Sequence, residues 1–132
     1  MSSKTEAIKQ VIVVRKDLKV RRGKMEAQSA HASLKVFFDR AYISKTYLME
    51  IPLTKEMVQW ASGIFTKISL SCDSEEELDG LYRKAEEAGL PCSMVIDSGA
   101  TEFHNIPTKT CIAIGPAQSA EIDKITGHLK LR

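Results

Sequence analysis

The sequence has no apolar run near the ~18 residues that a membrane-spanning helix requires, so no such helix is expected. Its first ten residues, MSSKTEAIKQ, lack the apolar core of a secretory signal. Cysteine is scarce: Cys72, Cys92 and Cys111 form no C-x-x-C motif, and three thiols cannot all pair within one chain. They read as reduced thiols on strands, hence an intracellular, cytoplasmic protein. There is no His/Cys/Asp cluster at metal-ligand spacing, and His104 and His128 read as loop or surface residues. G-x-G-x-x-G and Walker motifs are absent, which argues against a nucleotide cofactor, and Ser29 and Ser33 sit in no nucleophile elbow.

What is present suits one globular domain. A chain of 132 residues can bury one substantial core. The 43% hydrophobic and 27% charged fractions exclude disordered and collagen-like classes. The net charge of +2 decides little, but its distribution is uneven. Arg15, Lys16, Lys19, Arg21, Arg22 and Lys24 crowd one short stretch, opposed only by Asp17. That stretch follows an apolar run, Val11 to Val14, and precedes an Ala-rich amphipathic segment. Strand, basic loop and helix start in succession make an anion site, because the first helical N–H groups and the positive dipole end face the loop. A basic loop alone could equally be a solvated face.

In chain order, Ile8 to Val14 reads as a central strand covered on both faces. From Lys24 to about Arg40, Ala27, Ala30, Leu34, Phe37 and Ala41 recur at helical spacing and form the expected buried face. At about 100° per residue, Lys24, Gln28 and His31 project within roughly 60° of one another as a polar stripe beside it. Residues 42 to 63 are hard to read; a short helix is expected from near Thr54. Phe65 to Cys72 alternates as an edge strand covered on one side. Ser74 and Glu77 fit a capping box for a helix stopped by Gly89 and Pro91. Cys92 to Ile96 and Thr110 to Ile114 read as strands, and Ala120 to Thr126 as a last helix before Gly127.

This order predicts an α/β fold whose first three strands are largely parallel and whose fourth is antiparallel. Ligands of such sheets bind outside the carboxyl ends of the parallel strands. Asp97, at the end of the third strand, therefore comes to the same edge as the basic loop. It faces Lys24, Gln28 and His31 on the first helix, with Ser98-Gly99-Ala100-Thr101 following. Asp97-Ser98-Gly99 could also be a simple turn.

The segments V-V-R-K-D-L-K, G-K and A-Q-S-A-H-A between Val13 and Ala32 resemble the type II (archaeal and eukaryotic type) peptidyl-tRNA hydrolases. D-S-E-E-E-L, A-G-L-P, D-S-G-A-T, A-I-G-P and T-G-H-L-K-L continue the likeness in order, leaving only residues 42 to 63 unmatched. The resemblance implies a single domain over residues 1–132, a three-layer α/β/α sandwich around a four-stranded mixed sheet, commonly a homodimer. It implies hydrolysis of the ester joining a peptide to the 3′ ribose of tRNA, a reaction that needs no metal or organic cofactor. Carried over by position, Lys24, Gln28, His31, Asp97, Thr101 and Thr110 fall on catalytic or substrate-contact positions. Asp97 would hold or activate water, Lys24 would stabilise the oxyanion or a phosphate, and Gln28 and Thr101 would donate hydrogen bonds. His31 is either catalytic or a structural histidine, and Thr110 orients its neighbours. Arg15, Lys16, Lys19, Arg21 and Arg22 would bind RNA.

The chain departs from the family pattern at three places. Gln28-Ser29-Ala30-His31 replaces Q-C-S-H, Ala100 replaces a long basic side chain, and the loop Glu102 to Thr108 is about one residue longer. These changes suggest altered affinity or substrate choice with the hydrolytic residues kept. A noncatalytic RNA-binding or protein-interaction domain, and a hydrolase of related aminoacyl adducts, are the alternative readings.

Overall fold

The computed structural model describes residues 7–100 and 103–132. Its elements are β1 (Ile8–Arg15), α1 (Arg22–Phe38), β2 (Tyr42–Ile43), β3 (Met49–Glu50), α2 (Lys55–Ser62), β4 (Lys67–Cys72), α3 (Glu75–Glu87), β5 (Cys92–Asp97), β6 (Thr108–Gln118), α4 (Ser119–Thr126) and β7 (Lys130–Leu131). The main sheet is ordered β5-β6-β1-β4-β7. β1 and β4 pair in parallel, while β6 runs antiparallel to both β1 and β5. The three strands expected to share a direction do so, and β6 enters between two of them as the antiparallel member.

Alternation along β1 divides the core into two layers. Val11 and Val13 face α3 and α4, packing with Leu78, Leu81, Ile112, Ile114 and Ile122. Ile12 and Val14 face α1 and α2, packing with Met25, Ala32, Val36 and Met57. Both faces of β1 are dry, as its continuous apolar run requires. Two helical layers thus enclose a mixed sheet in an α/β fold.

The sheet has five strands rather than the expected four. β7 adds two residues, pairing Leu131 with Leu70 and Lys130 with Ser71. It also covers the outer side of β4, which is therefore not the free edge its alternation suggested. A strand of two residues carries no periodicity to read. Residues 42 to 63 contain a small hairpin, β2 with β3, before α2. Thr54 caps α2 by accepting a hydrogen bond from the Met57 N–H at 3.0 Å, as expected.

The buried face of α1 is also corrected. Met25, Gln28, Ala32 and Val36 point inward, while Ala27, Ala30 and Leu34 are exposed. Alanine suits either side of a helix, so the alanine repeat misplaced the stripe; Met25 and Val36 bury more area per residue and set the orientation. At α3, Ser74 accepts from the Glu77 N–H at 3.0 Å, but the Glu77 carboxylate reaches past Ser74 to the Asp73 N–H at 2.7 Å. Half of the capping box is displaced by one residue.

Gln10 is a fully buried amide within β1. Its Nε2 donates to the carbonyls of Ser33 at 3.2 Å and Gly115 at 3.1 Å, and its Oε1 accepts from the Ser33 hydroxyl. One side chain thereby ties β1 to both α1 and β6. Gln10→Leu keeps the volume but leaves the Ser33 hydroxyl and the Gly115 carbonyl without this partner, each costing about 1–3 kcal/mol when buried unpaired. The expected loss is about 2–4 kcal/mol by urea denaturation; a change under about 0.5 kcal/mol would show that the node contributes little.

Candidate active site

β5 ends at Asp97 and α1 begins at Arg22, at the same edge of the sheet, and the two are joined by a salt bridge. Lys24 Nζ lies 2.9 Å from Asp97 Oδ1, and the two side chains are only 16% and 12% exposed. Gln28, one turn after Lys24, directs its Nε2 at the same oxygen at 3.4 Å. The other carboxylate oxygen accepts the Gly99 N–H at 2.9 Å. The Lys24 hydrogen bond, then the Gly99 N–H and the Lys24 charge, lower the Asp97 pKa against the opposing effect of burial. Asp97 is an ionised acceptor that retains lone-pair capacity beyond these three donors.

The loop after Asp97 is shaped by Gly99. Its φ of +85° is in the left-handed region, and an added Cβ would clash with the Ile106 carbonyl. Asn105 N–H donates to the Gly99 carbonyl at 2.8 Å, closing the loop on itself. Phe103 then lies with its ring centroid 5.9 Å from Lys24 Nζ, within cation–π range.

Beneath these groups lies Thr110, fully buried on β6. Its hydroxyl donates to Gln28 Oε1 at 2.7 Å, which fixes the amide with its NH2 end toward Asp97. The Cys111 thiol, on the next residue, donates to the Gln28 backbone carbonyl at 3.3 Å, and burial pushes that thiol up to about 11. Cys111 is thus an inert packing group, not a nucleophile.

Among the described residues, Lys24, Gln28, Asp97 and Thr110 form one connected cluster. His31 is exposed and makes no hydrogen bond to it. Thr101 lies outside the described residues. In the basic loop, the Arg15 side chain is only 10% exposed and braces the structure: it binds Asp17 at 2.7 Å, Glu75 at 3.6 Å and the Lys109 carbonyl at 2.9 Å. Asp17 raises the Arg15 pKa and is itself held below the usual carboxylate range by that hydrogen bond. Lys16 pairs with Asp73 at 3.2 Å at the surface. Lys19, Arg21 and Arg22 are exposed. The contribution of Gly99 had a sequence signal in Asp-x-Gly, where an aspartate accepts a backbone N–H two residues on.

The family model for peptidyl-tRNA hydrolase PTH2 matches residues 8–132. This chain belongs to the PTH2 peptidyl-tRNA hydrolase family. Proteins named peptidyl-tRNA hydrolase resemble it over nearly their whole length. That of Methanopyrus kandleri is 45% identical over 123 residues, covering 93% of this chain and 97% of the relative. That of Aeropyrum pernix is 44% identical over 126 residues, covering 96% and 97%, and that of Methanocaldococcus jannaschii 39% over 124 residues, covering 94% and 99%. The PTH2 match includes both α1 and the strand end that carries Asp97. In this PTH2 member Thr110→Val removes the hydroxyl that holds Gln28 while keeping its shape. Ester hydrolysis should lose about tenfold in kcat with KM little changed, because a positioning hydrogen bond is lost. An unchanged kcat would show that the amide is held without Thr110.

Proposed function

We propose that this chain hydrolyses peptidyl-tRNA at the ester between the peptide carboxyl and the 3′ ribose, using the Lys24–Asp97 pair. The observation that carries the reading is a shielded carboxylate fixed by Lys24, Gln28 and the Gly99 N–H at the strand edge where α/β folds bind ligands. A water held by Asp97 adds to the ester carbonyl carbon, and charge develops on the carbonyl oxygen. Lys24, at the first turn of α1, stabilises that oxyanion. The tetrahedral intermediate then expels the ribose 3′ oxygen, which takes the proton that Asp97 removed from the water, leaving a tRNA 3′ hydroxyl and a peptide carboxylic acid that loses its proton to solvent. Because Lys24 holds the Asp97 pKa down, the carboxylate is a weak base at neutral pH. Its part is to orient water and Lys24, taking the proton only as the new C–O bond forms.

Gln28 positions Asp97, and Thr110 positions Gln28. Thr101 keeps the hydrogen-bonding part that the family resemblance assigns it, toward the carbonyl or the ribose. His31 is given no proton-transfer step, because it stands outside the hydrogen-bonded cluster. Lys19, Arg21 and Arg22 contact RNA phosphates, Lys16 adds a screened charge, and Arg15 holds the loop in shape. The reading extends to a cytoplasmic homodimer; sedimentation equilibrium at micromolar protein checks the assembly, and a single monomeric species would remove it. No helix among the described residues is long and apolar enough to cross a membrane.

The reaction is tested with N-acetylaminoacyl-tRNA in 18O-labelled water. Attack at the carbonyl places the label in the released N-acetyl amino acid. Label in the tRNA would refute carbonyl attack, and tRNA binding without release would leave an RNA-binding module.

A further inference from the structure

α1 and α2 cover β5, β6 and β1, but the same face of β4 and β7 has no helix over it. The residues buried under α1 and α2 include none from β4 or β7. In place of a helix there is a groove of about 540 Å3 between the first turns of α1 and the β4–β7 pair. Arg22 and Arg132 stand on its walls, Ser29 and Ser69 supply hydroxyls, and Glu26 is the one acidic side chain among the described residues that line it. Lys130 pairs with Ser71, two residues along β4 from Ser69, and both line a smaller cleft of about 160 Å3. That cleft is also lined by two carboxylates, Asp73, which engages Lys16, and Glu77, which accepts the Asp73 N–H. Arg22, Lys130 and Arg132 make no ion pair among the described residues.

We infer that this groove is a second RNA-binding site, which holds phosphates of the tRNA 3′ strand upstream of the scissile ester. The inference rests on the peptidyl-tRNA reading above. Unpaired cations beside hydroxyl donors select a phosphodiester backbone over an apolar partner. Arg132 follows β7 directly and extends its pairing through its N–H to the Ser69 carbonyl at 3.0 Å, so at extended spacing it stands ~6.6 Å from Lys130. That separation spans about two nucleotides of stacked strand at ~3.4 Å each.

The geometry also sets which nucleotides arrive there. Arg22 and Lys24 are about 200° apart around α1. A strand with its ester at Lys24 and Asp97 must therefore cross the start of this helix to reach the groove. That helix start bears no side-chain cap and no acidic residue in its first turn, so its N–H groups face the crossing strand. Crossing a helix ~10–12 Å wide takes about three nucleotides. The groove thus receives phosphates about three to five nucleotides from the ester, where the unpaired 3′ end meets the acceptor stem.

The test uses the double variant Lys130→Gln/Arg132→Gln, whose two residues lie outside the basic loop. Two readouts are compared with wild type. The first is the salt dependence of binding to deacylated tRNA, whose log–log slope should become shallower by about 1.4–1.8 for two lost contacts. The second is the ratio of kcat/KM for N-acetylaminoacyl-tRNA to that for the N-acetylaminoacyl ester of adenosine, which has no upstream phosphates. That ratio should fall about tenfold in the double variant. An unchanged slope, or equal losses on both substrates, would overturn the groove as an RNA site. Should wild type hydrolyse neither ester, the peptidyl-tRNA reading would fail, and the salt slope would still decide the groove.

Discussion

Asp97→Asn lowers the rate of N-acetylaminoacyl-tRNA hydrolysis by about 10²–10⁴-fold with the fold retained. The substitution conserves shape and keeps an oxygen for the Gly99 N–H, now 2.9 Å away. What it removes is the negative charge that orients water and Lys24. tRNA binding should be no weaker than in wild type, because a negative charge facing a polyanion has been deleted. The pH dependence follows from the lowered Asp97 pKa. A carboxylate whose pKa is depressed on folding contributes stability above its unfolded value near 3.8, and loses it as pH falls through the lower folded value. Between pH 5 and 8 Asp97 stays ionised, so its protonation produces no limb in the wild-type rate profile there. An acid limb near pH 6 that disappears in Asp97→Asn would contradict this assignment.

Lys24→Met should cost about 10²–10³-fold in kcat, the range for losing one donor to a developing oxyanion. Methionine replaces the aliphatic stem without the charge. It leaves the Asp97 carboxylate, only 12% exposed, with the Gln28 amide and the Gly99 N–H but without its cation. The Asp97 pKa then rises, because the ammonium that does most to depress it has gone. Lys24→Met should therefore show an acid limb at higher pH than wild type, besides its lower plateau. Lys24→Arg keeps the charge and should recover part of kcat, though a planar guanidinium cannot reproduce a point ammonium at 2.9 Å. Equal rates for wild type and Lys24→Met would assign the oxyanion to another donor.

The central elements were readable in the sequence because local and tertiary preferences agree there. The apolar run of β1 demanded cover on both faces, and Val11 and Val14 are both fully buried. The carboxyl-end rule brings Asp97 to the sheet edge where Lys24 lies, and the two form a salt bridge there. Thr54 marked the start of α2 by its capping chemistry. Other features depend on contacts distant in sequence. The face of α1 was misread because its alanines fit inside or outside equally well, whereas Met25 and Val36 decide. Helical spacing places Gln28 on a polar stripe beside the apolar face, and its burial follows from Thr110, 82 residues later, which donates to its side chain. Arg15 counted as a surface cation until Asp17, Glu75 and the Lys109 carbonyl enclosed it. β7 has two residues and exists only through its pairing with β4. In each case the deciding partner lies on another element, and a local window omits it.

The most direct test is single-turnover release of N-acetyl amino acid from N-acetylaminoacyl-tRNA, at saturating protein, by wild type, Asp97→Asn and Lys24→Met. The account predicts release by wild type and a loss of at least ~100-fold in each folded variant. Equal rates in all three would place the chemistry elsewhere on the molecule.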